Sequence, residues 1–134
     1  RPGIQDRPVF RVDYRPHANR IVIHVRDFWS TDMIPAFAAA VGAKIQEARA
    51  IRDDFDVLVE SLAFPVQGND VADLLPSIMR GGMALTSGRS AVVVGSQLSK
   101  LQAERTLTHP RVRVFLTLAQ AEAWLAAAPE TESD

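Results

Sequence analysis

Asp-Val-Leu-Val-Glu, residues 56–60, and the stretch that follows it, Phe-Pro-Val-Gln-Gly-Asn-Asp-Val-Ala-Asp-Leu-Leu, residues 64–75, decide how this chain is read. The first run is short, continuous and apolar between acidic ends, the pattern of a central strand buried on both faces. The second opens as a loop around Pro65 and Gly68. It then turns apolar at Val71, Leu74, Leu75, Ile78 and Met79, the spacing of a helix starting near Asn69 or Asp70. Pro76 kinks that helix or begins its regular part, because a proline inside a helix removes a hydrogen bond and clashes one turn back. A strand leading into a helix is the unit of a parallel sheet. Such sheets meet ligands and partners at the carboxyl ends of their strands, so residues 61–72 form a candidate surface.

Upstream, Val9 to Tyr14 alternates apolar and polar residues, as a half-buried strand does. Pro16 to Asn19 is turn chemistry, and Arg20 to Arg26 is a second strand, so the two form an antiparallel hairpin. Ser30, Thr31 and Asp32 offer N-caps. With Asp32 as cap, Ile34, Phe37, Val41, Ile45 and Ala48 line one face of a helix to about Ala50. Downstream, Gly81-Gly82 and Thr86-Ser87-Gly88 end the second helix, and Ala91 to Val94 is another buried strand. A third helix runs from Leu98 to Leu107, and Val112 to Phe115 is the last strand. Thr117 and Gln120 have the spacing of a capping box for a final helix through about Ala128.

The expected order is β-β-α-β-α-β-α-β-α in one domain over 9–128, with 1–8 and 129–134 as flexible ends. The expected fold class is α/β: a mostly parallel sheet of about five strands, an antiparallel N-terminal strand and four helices. Right-handed crossovers distribute those helices over the sheet.

Bulk composition excludes several function classes. The 134 residues are 47% hydrophobic and 23% charged with a net charge of −1, so no global field draws the chain to nucleic acid. Cysteine is absent, which removes disulfides, thiolate nucleophiles and Cys-type zinc sites and fits a reducing cytoplasm. The longest apolar run, Ala36 to Val41, is too short to insert in a membrane, and no signal-peptide pattern appears.

No catalytic set assembles on the expected rim. Serine nucleophiles need a base in reach. His17 sits in the hairpin turn, His24 inside a strand, and His109 before Pro110 at the opposite rim, none beside Ser61 or Ser96. Asp27, Glu60 and Asp70 share the rim region, yet Asp70 serves equally as a charge at a helix start. No His/Asp/Glu cluster has metal-ligand spacing. Gly95-Ser96 stands where a phosphate loop would, but a single glycine is a weak signal.

Several stretches resemble a known family. The order of elements with Val57-Leu58-Val59-Glu60, the strand end Arg26-Asp27-Phe28-Trp29, the loop Phe64-Pro65-Val66 and Ala91-Val92-Val93-Val94-Gly95-Ser96 are similar to the STAS domain, in particular to the SpoIIAA-like proteins of bacteria. Val112 to Phe115 followed by Ala121 to Leu125 also fits, so the resemblance covers about residues 9–127. It implies a non-enzymatic regulatory or interaction domain without a cofactor. In anti-sigma-factor antagonists of this fold the helix entrance carries Asp-Ser-Ser-Gly, and a kinase phosphorylates a serine there. This chain has Gly68-Asn69-Asp70-Val71 at the matching place, with no hydroxyl, so the phosphoserine switch is not carried over.

The leading expectation is a cytoplasmic STAS-like domain that binds a protein partner, or a second copy of itself as a homodimer. Its expected surface holds Asp27, Trp29, Ser61, Gln67, Asn69, Asp70 and Ser96. The alternative is a small-molecule or lipid-binding domain with an apolar pocket between sheet and helices near Phe28, Trp29 and Phe64. A third reading is a small hydrolase using Ser61 or Ser96.

Overall fold

The structure, a computed structural model, describes residues 9–127; the expected flexible ends at 1–8 and 129–134 lie outside the described residues. Strands β1 (Phe10–Arg15) and β2 (Arg20–Arg26) form the antiparallel hairpin. A 3-10 turn over Pro16–Ala18 joins them, closed by Asn19 in the left-handed region at φ 52°. Asparagine tolerates that conformation better than most residues. Its amide Nδ2 donates to the Asp54 carboxylate at 3.0 Å, which ties the hairpin turn to the start of the next strand.

The remaining elements are α1 (Ile34–Arg49), β3 (Asp56–Ala63), α2 (Asn69–Ala72), α3 (Leu75–Met83), β4 (Ser90–Val94), α4 (Gln97–Thr106), β5 (Val112–Phe115) and α5 (Leu118–Ala126). Two details depart from the sequence reading, and at the second helix Pro76 begins the regular part. Asp32 does not cap α1: its carboxylate accepts from the Ser30 hydroxyl, and a 3-10 turn over Thr31–Met33 leads into the helix. The expected second helix divides into the single turn α2 and the longer α3. Pro76 stands in the first turn of α3, where its missing N–H would have no intrahelical acceptor. Strand β3 runs on past Glu60 to Ala63, because Ser61 still pairs with Val94 on β4 and Ala63 with Arg26 on β2.

The sheet order is β1-β2-β3-β4-β5, with β2 to β5 parallel. Each parallel strand is thus added on the same side of its predecessor. Right-handed connections then send every crossover helix to one face. Accordingly α1 lies over β1 and β2, α4 lies over β4 and β5, and α3 rests beside α1 between them. Among the described residues only α5, after the last strand, covers the opposite face. The right-handed crossovers thus set three crossover segments on one face against one terminal helix on the other.

Two apolar interiors result. On the crowded face, Ile21, Ile23, Val25, Phe37, Val41 and Ile45 belong to the main core. On the other, Leu58, Ala91 and Val93 pack under Ala121 and Leu125 of α5. All of β4 is buried, as its continuous apolar run requires. The Thr117 hydroxyl caps α5 by accepting the Gln120 N–H at 3.2 Å, one half of the expected capping box.

The amino ends of the parallel strands are held by close contacts. Phe55 is fully buried, a side chain whose burial stabilises by roughly 1.5–3 kcal/mol. Gly88 passes so near it that a Cβ would lie 2.0 Å from the Phe55 carbonyl oxygen. Gly88→Ala should therefore force backbone apart and lower stability by about 3 kcal/mol, read as a lower denaturant midpoint at unchanged slope. At the same end Arg52 grips Asp54 with two hydrogen bonds of 2.8 and 2.7 Å. These bonds, with that from Asn19, hold the Asp54 carboxyl below its ordinary value. A depressed carboxyl contributes stability that is complete above the unfolded pKa and is lost as pH falls through the folded one. Asp54→Asn should thus remove part of the acid-side loss of stability, measured by urea unfolding across the acid range, and leave the neutral-to-alkaline slope unchanged.

Candidate functional site

The carboxyl ends of β2, β3 and β4 meet at one rim, and Asp27 shapes its first loop. The β2–β3 register shifts between His24 and Arg26, and Asp27 follows with φ 67°. Its N–H donates to the Ala63 carbonyl at 3.0 Å. Phe28 swings into solvent, 72% exposed, and Trp29 swings into the core, 7% exposed. Trp29 sits among Phe10, Phe37 and Phe64 with ring centroids at 5.8, 5.0 and 5.2 Å, tilted or edge-on, the arrangement aromatic quadrupoles favour. Its indole N–H donates to the Arg26 carbonyl at 3.0 Å.

Gln67 joins this loop to the next one. Its side-chain oxygen accepts the Trp29 backbone N–H at 2.8 Å. Its amide nitrogen donates to the carbonyls of Asp27 and Pro65, both at 3.0 Å. One buried side chain thereby satisfies backbone groups of the β2–α1 and β3–α2 loops together, groups that would otherwise be buried without partners. Gly95 permits a close approach between the ends of β3 and β4: a Cβ there would lie 2.4 Å from the Leu62 carbonyl oxygen.

Above these contacts lies an open cleft of about 610 Å³, lined by Asp27, Phe28, Leu62, Phe64, Gly95 and Ser96 among others. Asp27 and Ser96 are exposed there. Arg26 lies 3.4 Å from the Asp27 carboxylate. The Ser96 hydroxyl accepts the Ser99 N–H at 3.1 Å and so serves as the N-cap of α4. Asn69 and Asp70 are exposed on α2, outside the cleft, where Asp70 accepts the Val71 N–H at 2.9 Å.

Three residues expected on the surface are not there. Trp29 and Gln67 are buried by the packing just described. Ser61 is buried inside β3, its hydroxyl donating to the Val93 carbonyl at 2.6 Å, because the strand continues three residues past Glu60. Phe28, expected beside the apolar interior, instead faces solvent. The sequence reading missed the apolar character of the rim: besides Phe28, Leu62, Val66 and Leu98 are 44%, 38% and 65% exposed. The signal was present in α4, where Leu98, Leu101 and Leu107 cannot all face the sheet at helical spacing.

Acid-base and nucleophilic arrangements do not come together. His24 and Glu60 face each other at 4.0 Å on the side of the sheet opposite to Ser61, since neighbouring strand positions alternate faces. His17 and His109 lie at the amino end of the sheet. Of Asp27, Glu60 and Asp70, only Asp27 lines the cleft. Among the described residues no group of three His, Asp or Glu side chains is placed to hold a metal ion. Among them, too, no helix is long and apolar enough to cross a membrane.

No family model matches the chain, and no curated protein does. Solved structures do. One is the crystal structure of an anti-sigma factor antagonist from Mycobacterium paratuberculosis, 16% identical, covering 88% of this chain and 95% of that one with a TM-score of 0.64. The likeness shows the fold: this chain has the STAS-like, SpoIIAA-like α/β architecture, with one antiparallel strand beginning an otherwise parallel sheet.

Gln67→Ala should strand the Trp29 N–H and two carbonyls, lowering stability by about 1–3 kcal/mol. In a background where Trp124 is replaced by Phe, the Trp29 emission should shift to the red as its loop loosens.

Proposed function

We propose that this chain is a non-enzymatic regulatory domain of the cytoplasm that binds a protein partner through its strand-end rim. The observation that carries the reading is the rim itself. Phe28, Leu62, Val66 and Leu98 stand exposed around loops that Gln67 ties together, with Asp27 beside them and Asp70 on the flank. Phe28 and Leu62 line one cleft together with Asp27, and exposed apolar surface rimmed by polar residues is the usual mark of an interaction site. Fixing its loops in advance reduces the ordering entropy that binding requires. The anti-sigma factor antagonist with the same fold supports a regulatory role.

The stretch Gly68-Asn69-Asp70-Val71 bears no hydroxyl, so this docking runs without a phosphoserine. Asp70 instead presents a permanent negative charge on the first turn of α2.

The test uses the immobilised full chain and its native cell extract. Wild type should retain a specific protein, Phe28→Glu should reduce its recovery at least tenfold, and Asp70→Lys should weaken it measurably, with the denaturant midpoints of both variants unchanged. Recovery unaffected by either substitution rejects the rim as the binding surface. If the retained protein is the chain itself, light scattering should show a dimer that Phe28→Glu converts to monomer.

A further inference from the structure

A second hollow lies beneath the rim, between the sheet and the helices of the crowded face. It has a volume of about 160 Å³. Its floor is Ile23, Val57, Val59 and Val92 of the sheet, and its roof includes Ile78 and Met79 of α3. Val57 and Val59 sit on the central strand, flanked by strands on both sides, yet both are only partly buried. Leu75, Ile78 and Met79 of α3 are partly buried as well. The space between them is therefore unfilled.

The topology explains the gap. Three crossover segments share one face, and the middle one is broken into α2 and α3. Helix α3 is seated against α1, where Gly82 comes within ordinary contact of Ile45, a Cβ on it lying 3.5 Å from Ile45 Cδ1. It bridges β3 rather than resting on it.

The hollow has a route outward. Phe64, Leu75 and Leu107 line both this cavity and a smaller groove between α3 and α4. Phe64 also borders the rim cleft, so its ring separates the surface from the interior. Every side chain on the cavity wall is uncharged, and the only hydroxyls are those of Ser61 and Ser90. A buried carboxylate or ammonium would find no partner there. An apolar cavity of about 150 Å³ is known to stay dry and to take benzene or xenon.

We propose that this cavity is a binding site for a small, neutral, apolar molecule, one aromatic ring or a chain of about five or six carbons in size. The ligand enters between α3 and α4 past Phe64, and its contacts are with Ile23, Val59, Met79 and their neighbours. Any alcohol or amide group it carries meets the Ser61 oxygen or stays at the groove, where Gln102 and Thr106 are polar. Because Phe64 is shared with the rim, occupancy changes the wall of the rim cleft. The site itself stands on the cavity alone and does not depend on the docking reading.

The full chain, labelled with ¹³C at isoleucine, valine and methionine methyls, is titrated with toluene, and crystals are pressurised with xenon. Toluene should shift the methyls of Ile23, Val59, Met79 and Met83 saturably, and xenon should appear between β3 and α3. Met79→Trp, which fills the space from the helix side, should weaken toluene binding at least tenfold while the remaining spectrum stays folded. Ile78→Phe serves the same purpose if the tryptophan is not accommodated. Absence of saturable shifts, shifts confined to Val66 and other surface methyls, undiminished affinity in a folded filled variant, or no xenon beneath α3 would each overturn the site. None of these readouts involves a protein partner, so failure here leaves the rim reading standing, and the reverse.

Discussion

The Gln67 carboxamide is the contact on which the arrangement of the rim depends. It binds one N–H and two carbonyls from two loops that are separated by a whole helix in the sequence. Through those bonds the β2–α1 loop is placed so that Trp29 fills the aromatic cluster and Phe28 faces outward. The β3–α2 loop is placed so that Phe64 closes that cluster from the other side. A buried amide that satisfies both its donor and its acceptor groups locks geometry, whereas an apolar residue there would leave three backbone groups unpaired.

A second constraint is topological. Strand order equal to sequence order, combined with right-handed crossovers, puts α1, α3 and α4 on one face. The opposite face has one helix, α5, held additionally by Arg20 on Glu122 at 2.9 Å and by Arg89 over the Trp124 ring at 4.5 Å. The crowded face must seat three helical segments, and the middle one is short and interrupted. The same rule that builds the sheet thus leaves an unfilled apolar space under α3. Rim and cavity are consequences of one chain path, and Phe64 belongs to both.

The site is therefore one of shape and apolar contact more than of reactive groups. The seryl hydroxyls that sequence alone left open as nucleophiles are engaged in structure: Ser61 holds β3 to β4, and Ser96 caps α4. The carboxylates spread over two faces and a flank. At the rim Phe28, Leu62 and Leu98 are exposed.

The sequence by itself determined the five strands, the parallel core, the hairpin turn at Pro16 to Asn19 and the buried face of α1. Hydrophobic period and turn chemistry are local properties, and they are strong in this chain. Their order, together with stretches such as Val57-Leu58-Val59-Glu60 and Ala91 to Ser96, carries the resemblance to the STAS domain. Tertiary structure alone decided which rim side chains are exposed. Trp29 and Phe28 are neighbours with similar character, and the turn at Asp27 with the Gln67 bonds tells them apart. Gln67 reads as a polar loop residue until a loop about forty positions away supplies its partners. Ser61 reads as a loop residue until β2 and β4 are seen to pair beyond Glu60. Each of these outcomes depends on contacts between segments distant in the chain, which no local pattern encodes.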